Sequence, residues 1–110
     1  MTEGLTLNQY QETAATTAVY PPQFGIEYCI HGLTNEAGEV AGAYKKFLRG
    51  DYNRGEMLKR CKKEVGDTLW YAANLARELG FTLEEVAADN LSKLKGRAEA
   101  GTLKGDGDNR

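Results

Sequence analysis

A chain of 110 residues has material for one small domain with one core. At 41% hydrophobic and 27% charged it has the composition of an ordinary globular protein, which excludes disordered, collagenous and disulfide-dense classes. A formal net charge of -2 excludes a surface-wide positive field, so no nucleic-acid partner is expected, although basic residues gather at Lys45, Lys46 and Arg49 and again at Lys59, Arg60, Lys62 and Lys63.

No apolar stretch approaches the length of a membrane span, and the N-terminal residues hold no signal-like apolar core. The expectation is a cytoplasmic protein without a membrane partner. Cys29 and Cys61 lack metal-finger spacing and read as two small buried residues rather than a disulfide.

Strand-like alternation is absent, and helix signals dominate. The expected fold class is all-α, with four helices in residues 1–100. The first helix is expected from about Thr6 to Val19. Thr6 and Gln9 offer a T-x-x-Q capping box, and Tyr20-Pro21-Pro22 stops the helix because proline disfavours helix in the residue before it.

The second is expected from about Gln23 to Leu48. Ile26, Ile30, Leu33, Ala37, Ala41, Tyr44 and Leu48 keep one apolar stripe at helical period. The third is expected from about Arg54 to Leu79, with Asn53 and Glu56 as an N-x-x-E box and Gly80 just past the end. Cys61, Val65, Thr68, Ala72, Ala76 and Leu79 share one of its faces.

The fourth is expected from about Leu83 to Ala98, capped by Thr82 with Glu85 at the third position. Residues 101–110 carry three glycines and alternating charge, and read as a mobile tail unless a ligand or partner orders them. Gly105-Asp106-Gly107-Asp108-Asn109-Arg110 lacks the ligand spacing and closing glutamate of a calcium loop.

Two acidic pairs carry the chemistry. Glu36-x-x-Glu39 lies on the second helix and Glu64-x-x-Asp67 on the third, each at i, i+3 and so on one helix face. Glu36 and Glu39 flank the apolar stripe beside Gly25, Cys29, Gly32 and Ala43, all small, which leaves room for another helix or a ligand. No Lys or Arg stands three or four residues away to neutralise them within the helix.

The second pair has a plainer reading beside the functional one. Arg60 is placed to pair with Glu64, and Lys63 with Asp67, each four residues earlier, as on a solvated helix face. Four carboxylates brought around one point repel without cations, and an all-oxygen donor set suits Mg²⁺, or Mn²⁺ as a substitute, rather than zinc. Mg²⁺ bound by a few carboxylates commonly completes its shell with substrate phosphates. Glu-x-x-His motifs of di-iron bundles are missing, and His31 falls to the side of the first pair.

The two pairs, separated by 24 residues, resemble the motifs of the MazG-like, all-α nucleoside triphosphate pyrophosphohydrolases. Gly32-Leu33-x-x-Glu36-Ala37-Gly38-Glu39-Val40 and Glu64-Val65-Gly66-Asp67-Thr68-Leu69-Trp70-Tyr71 look like the core motifs of small bacterial and phage members. Asn90-x-x-Lys93-Leu94-x-x-Arg97 is similar to the fourth-helix motif, and Tyr20-Pro21 after Tyr10-Gln11 to the N-terminal segment.

The resemblance implies a four-helix-bundle-like MazG-type fold assembled as a homodimer or homotetramer, with Trp70 and Phe47 as candidate interface residues. It implies hydrolysis of a (d)NTP to the monophosphate and pyrophosphate. Glu36, Glu39, Glu64 and Asp67 would be the metal ligands and catalytic carboxylates. Tyr71 would contact sugar or base, and Asn90 and Lys93 the phosphates. Arg97 would be a phosphate ligand or a surface residue, and Tyr10 and Gln11 would border the base pocket. Sibling activities are dUTP- or dCTP-specific and phosphoribosyl-ATP pyrophosphohydrolysis, and the alternative of another class is a non-catalytic helical interaction module.

Overall fold

A computed structural model describes residues 3–108. Four α-helices form the described chain: α1 (Leu7–Ala15), α2 (Gly25–Leu48), α3 (Arg54–Glu78) and α4 (Leu83–Ala100). A 3₁₀ turn at Pro22–Phe24 leads into α2, and no strand occurs among the described residues. The all-α, four-helix reading of the sequence holds.

Helix starts follow the side-chain chemistry of their caps. Thr6 and Gln9 form both bonds of a capping box on α1, and Thr82 and Glu85 do the same on α4. Asn53 accepts from the Glu56 backbone N–H at 2.8 Å. The reciprocal bond is missing there because the Glu56 carboxylate turns to Arg60 instead, 3.6 Å away.

The first helix is shorter than expected and ends at Ala15. Thr16 Oγ1 donates to the Thr13 carbonyl at 2.6 Å and Thr17 Oγ1 to the Ala14 carbonyl at 3.0 Å. Such local side-chain bonds compete with the helical ladder, so the threonine-rich end unwinds before the prolines are reached.

Helices α2 and α3 pack along their lengths as an antiparallel hairpin. Gly25 faces Glu78, Gly32 faces Tyr71, and Glu39 shares a cavity with Glu64. The turn between them is held by an Arg49–Asp51 ion pair of 2.5 Å and by Gly50 at φ 91°. Tyr52 closes it, donating its hydroxyl to the Ala43 carbonyl at 2.5 Å.

The face of α2 that packs inward is the small-residue face. Cys29 is fully buried and Gly25 is buried. The apolar stripe is largely left outside: Ile26, Ile30, Tyr44 and Leu48 are all exposed, Leu48 at 70%. Small side chains let two helix backbones approach closely, and the bulky stripe is thereby turned away from α3. Both cysteines are free thiols.

Polar fasteners position α1 and the start of α4. Gln11 is buried and donates to the carbonyls of Ala73 (3.1 Å) and Phe81 (3.0 Å), while its Oε1 accepts from Leu83 N–H at 3.0 Å. Asn8 accepts from Glu84 N–H at 3.0 Å. Tyr20 donates to Glu78 Oε2 at 2.6 Å and accepts from Arg77 at 2.9 Å, tying the α1–α2 connection to the end of α3.

Beyond this anchor α4 stands apart. No Cα of α4 comes within 8 Å of one in α2, and Leu91 is 66% exposed. After Gly101, at φ 72°, the chain folds back on α4: Asp108 lies 3.1 Å from Lys93 Nζ and 3.0 Å from Arg97 Nη2. No helix among the described residues is long and apolar enough to cross a membrane.

Candidate metal centre

The antiparallel register of α2 and α3 brings the two acidic pairs together. One carboxylate oxygen each from Glu36, Glu64 and Asp67 falls within 4.8 Å of the others. Glu36 and Glu64 are half-buried and Asp67 is exposed. Glu39, the fourth expected ligand, is exposed and outside this tight group, but it lines a cavity of about 80 Å³ together with Glu64.

None of the four carboxylates has a Lys or Arg within 4.0 Å among the described residues. The helical pairing of Arg60 with Glu64 that the sequence offers is not made. Arg60 reaches back to Glu56, and its guanidinium lies 4.5 Å from the centre of the Tyr52 ring. Lys63 makes no ion pair with Asp67 among the described residues.

Burial and the neighbouring acids both bear on Glu36. Burial first, and then the neighbouring carboxylates of Glu64, Asp67 and Glu39, raise its pKa above the ordinary 4.5. Uncompensated acids with only oxygen donors fit a hard divalent cation. Glu36, Glu64 and Asp67 are the residues that would hold one, with Glu39 at the edge.

Aromatic rings close one end of the centre. Tyr71 packs against Trp70 with ring centres 4.9 Å apart and against Tyr28 at 6.3 Å. Burial, followed by Tyr28 and then the Glu36 charge, raises the Tyr71 pKa, so its hydroxyl stays protonated beside the acids. Tyr10 of α1 is likewise raised, by burial and then by the charge of Asp67.

The small residues beside Glu36 make room for a helix rather than a ligand. A Cβ at Gly32 would overlap the Tyr71 ring, and one at Gly25 would stand 2.5 Å from the Glu78 carboxyl. Gln11, expected to border a base pocket, spends its three hydrogen bonds on backbone groups. Trp70 donates to Thr17 Oγ1 at 2.9 Å and packs edge-on to Tyr20, so it is engaged within the chain. His31 is exposed, and Phe47 packs on Tyr44 at 5.6 Å.

The fourth-helix residues lie elsewhere. Asn90 and Lys93 line an open groove of about 440 Å³ with Phe81, Glu85, Val86 and Asp89, and none of the four acids lines it. Arg97 is not a surface residue: it is 7% exposed, bound to Asp108 and the Gly107 carbonyl, with its Nε buried and without a partner among the described residues. The structure joins Glu36, Glu64 and Asp67 at one centre, with Tyr71 and Tyr10 within electrostatic reach of its acids, and does not bring α4 to it.

Sequence reasoning named Lys46 within a basic cluster and Arg60 as a helical partner of Glu64, and passed over Tyr52; all three share the Glu39–Glu64 cavity. The signal available was register: in an antiparallel hairpin with a short turn, the residues one or two turns beyond each acidic pair toward that turn meet across it.

The sequence profile of the MazG nucleotide pyrophosphohydrolase domain matches residues 24–102. The chain is 39% identical over 113 aligned residues to "Gene 37 protein" of Mycobacterium phage L5, covering 92% of this chain and 96% of that one. No solved structure matches the chain significantly.

Proposed function

Because this chain belongs to the MazG nucleotide pyrophosphohydrolase domain family, we propose that it hydrolyses a nucleoside or deoxynucleoside triphosphate to the monophosphate and pyrophosphate, with Mg²⁺ as cofactor and Mn²⁺ as a substitute. The observation that carries the reading is the group of unpaired carboxylates of Glu36, Glu64 and Asp67 within 4.8 Å of one another between α2 and α3.

A divalent cation held there would neutralise the triphosphate and make a nucleophile available from water near neutral pH. The chain supplies the rest. Glu36, Glu39, Glu64 and Asp67 set the position of the phosphates, and one of the glutamates accepts the proton of the attacking water. Water oxygen bonds to the α-phosphorus, the bond to the bridging oxygen breaks, and pyrophosphate leaves. Tyr71, neutral and half-buried beside Glu36, contacts the sugar or base.

Asn90, Lys93 and Arg97 remain the candidate phosphate contacts of α4, and in the protomer they stand away from the acids. An assembly of two or four copies accounts for this, with α4 and the α2 stripe meeting another copy. The surface supports it: a compact monomer of this mass exposes about 6,000 Å², whereas this protomer exposes 7961 Å². Its radius of gyration is 16.7 Å, against about 13 Å for a compact chain of this length.

The test is product analysis. Purified protein is incubated with each (d)NTP and Mg²⁺, and monophosphate plus pyrophosphate are expected from at least one nucleotide. Absence of turnover with every nucleotide, in Mg²⁺ and in Mn²⁺ alike, would leave a non-catalytic helical module as the reading.

A further inference from the structure

The segment after α4 is built to turn back. Gly101 takes the left-handed conformation at φ 72°, and the Thr102 N–H donates to the Arg97 carbonyl at 2.9 Å, which closes the end of the helix. The Gly105 N–H then donates to the Thr102 carbonyl at 3.1 Å, and Gly107 is again left-handed at φ 73°. This path carries Asp108 to the side chains of Lys93 and Arg97, which stand about one turn apart on α4.

One carboxylate oxygen there meets both cations. Asp108 Oδ1 lies 3.1 Å from Lys93 Nζ and 3.0 Å from Arg97 Nη2, and Arg97 Nη2 also donates to the Gly107 carbonyl at 3.3 Å. The partners are unequally placed: the Arg97 side chain is 7% exposed and that of Asp108 80%. A guanidinium so buried needs an anion, because its charge has lost most of its water. Asp108 gives up little by leaving, because it is already in water, where ion pairs are weak. Arg97 also has a donor that the tail does not use: its Nε is buried and makes no hydrogen bond among the described residues. A phosphate group brings more charge and more acceptor oxygens than one carboxylate oxygen does, so it is the stronger occupant of the same place.

We propose that residues 102–108 form an intramolecular strap, in which the Asp108 carboxylate occupies the phosphate position of Lys93 and Arg97, and that a phosphate-bearing ligand binds there by displacing it. The proposal rests on the reading of α4 as a phosphate-contacting helix and adds a tethered competitor to it. The tether keeps the carboxylate at high effective concentration, so it lowers the apparent affinity of every ligand that needs the same two cations. Ligand binding and tail order are thereby linked: the tail is docked in the unliganded protein and released in the liganded one.

The test uses inorganic triphosphate as probe, titrated calorimetrically into the metal-free protein, with tail order followed by nuclear relaxation of the Gly105 and Gly107 amides. In wild type, saturating triphosphate is expected to give both amides the mobility of a free chain end. Asp108→Asn is expected to release them without any ligand and to bind triphosphate roughly three- to tenfold more tightly. Asp106→Asn makes the same charge change two residues earlier, at a residue in no ion pair among those described. It is expected to match wild type in both measurements.

Wild-type affinity in Asp108→Asn, an equal gain in Asp106→Asn, or a tail that stays ordered when triphosphate saturates the protein overturns the proposal. Nucleotide turnover separates it from the pyrophosphohydrolase reading. A gain of triphosphate affinity in Asp108→Asn, with no (d)NTP hydrolysed by wild type, keeps the strap and removes the activity. Hydrolysis with the same KM in wild type and Asp108→Asn, and the same triphosphate affinity, keeps the activity and removes the strap.

Discussion

The ring of Tyr71 on α3 lies directly against the backbone of Gly32 on α2, where any side chain at position 32 would overlap it. This contact sets the distance between the helices one turn from Glu36, and so the spacing of the acids. Gly32→Ala is expected to destabilise the fold by about 1–3 kcal/mol through overpacking, although alanine favours helix by about 1 kcal/mol over glycine. Gly96→Ala, with nothing within 4 Å of the added methyl, is the control and is expected to stabilise slightly. Denaturant midpoints of the two variants check the contrast.

Removing one acid has opposite effects on stability and activity. Glu64→Gln relieves repulsion among Glu36, Glu64 and Asp67, so the metal-free protein is expected to gain a few tenths of a kcal/mol. Turnover is expected to fall on the order of a hundredfold or more, since a ligand of the cation is lost. Thermal melting in chelator and nucleotide hydrolysis in Mg²⁺ measure the two.

The raised pKa of Glu36 links stability to pH. A carboxyl that holds its proton more tightly in the folded chain contributes stability fully present below the unfolded value of 4.5, and lost as pH rises through the higher folded value. Metal-free protein is therefore expected to melt at lower temperature as pH rises across that window. Mg²⁺ or Mn²⁺ is expected to offset the loss, because a cation compensates the charge that burial and the neighbouring acids penalise. Melting scans against pH, in chelator and in metal, read the difference.

Gln11→Ala is expected to cost about 2–4 kcal/mol, because the Ala73 and Phe81 carbonyls and the Leu83 N–H lose a buried partner together. The loss falls on the junction of α1, α3 and α4, so hydrogen exchange at the start of α4 is expected to speed up alongside the drop in the denaturant midpoint.

Asp108 behaves oppositely to Glu36. Lys93, then Arg97, hold its pKa below the ordinary 3.8, so its stabilising contribution is present above 3.8 and is lost as pH falls through the lower folded value. Asp108→Asn is expected to loosen residues 102–108 at neutral pH with little effect on the core, since the group is exposed. Limited proteolysis of the tail in wild type and variant is the measurement.

Much was legible in the sequence because the determining interactions are local. Thr6 with Gln9 and Thr82 with Glu85 act within one helical turn, so the capping boxes appear where the residues require them. The i, i+3 spacing of Glu36 with Glu39 and of Glu64 with Asp67 fixes which carboxylates share a face. Four helices, an all-α fold and family membership followed from such signals.

Spacing does not say what a face meets, and there the tertiary structure decided. The α2 stripe of Ile26, Ile30, Tyr44 and Leu48 looked like the core side, yet α3 chose the face of Gly25, Cys29 and Gly32, where backbones approach closely. Arg60 had two acids within helical reach, Glu56 and Glu64, and the position of Tyr52 across the turn selected Glu56. That choice left Glu64 uncompensated beside Glu36 and Asp67. The sequence by itself determined which charges the helices carry, because helical period is a local property. Only the packing of α2 on α3 decided which of those charges go unpaired, because that depends on atoms distant in the chain.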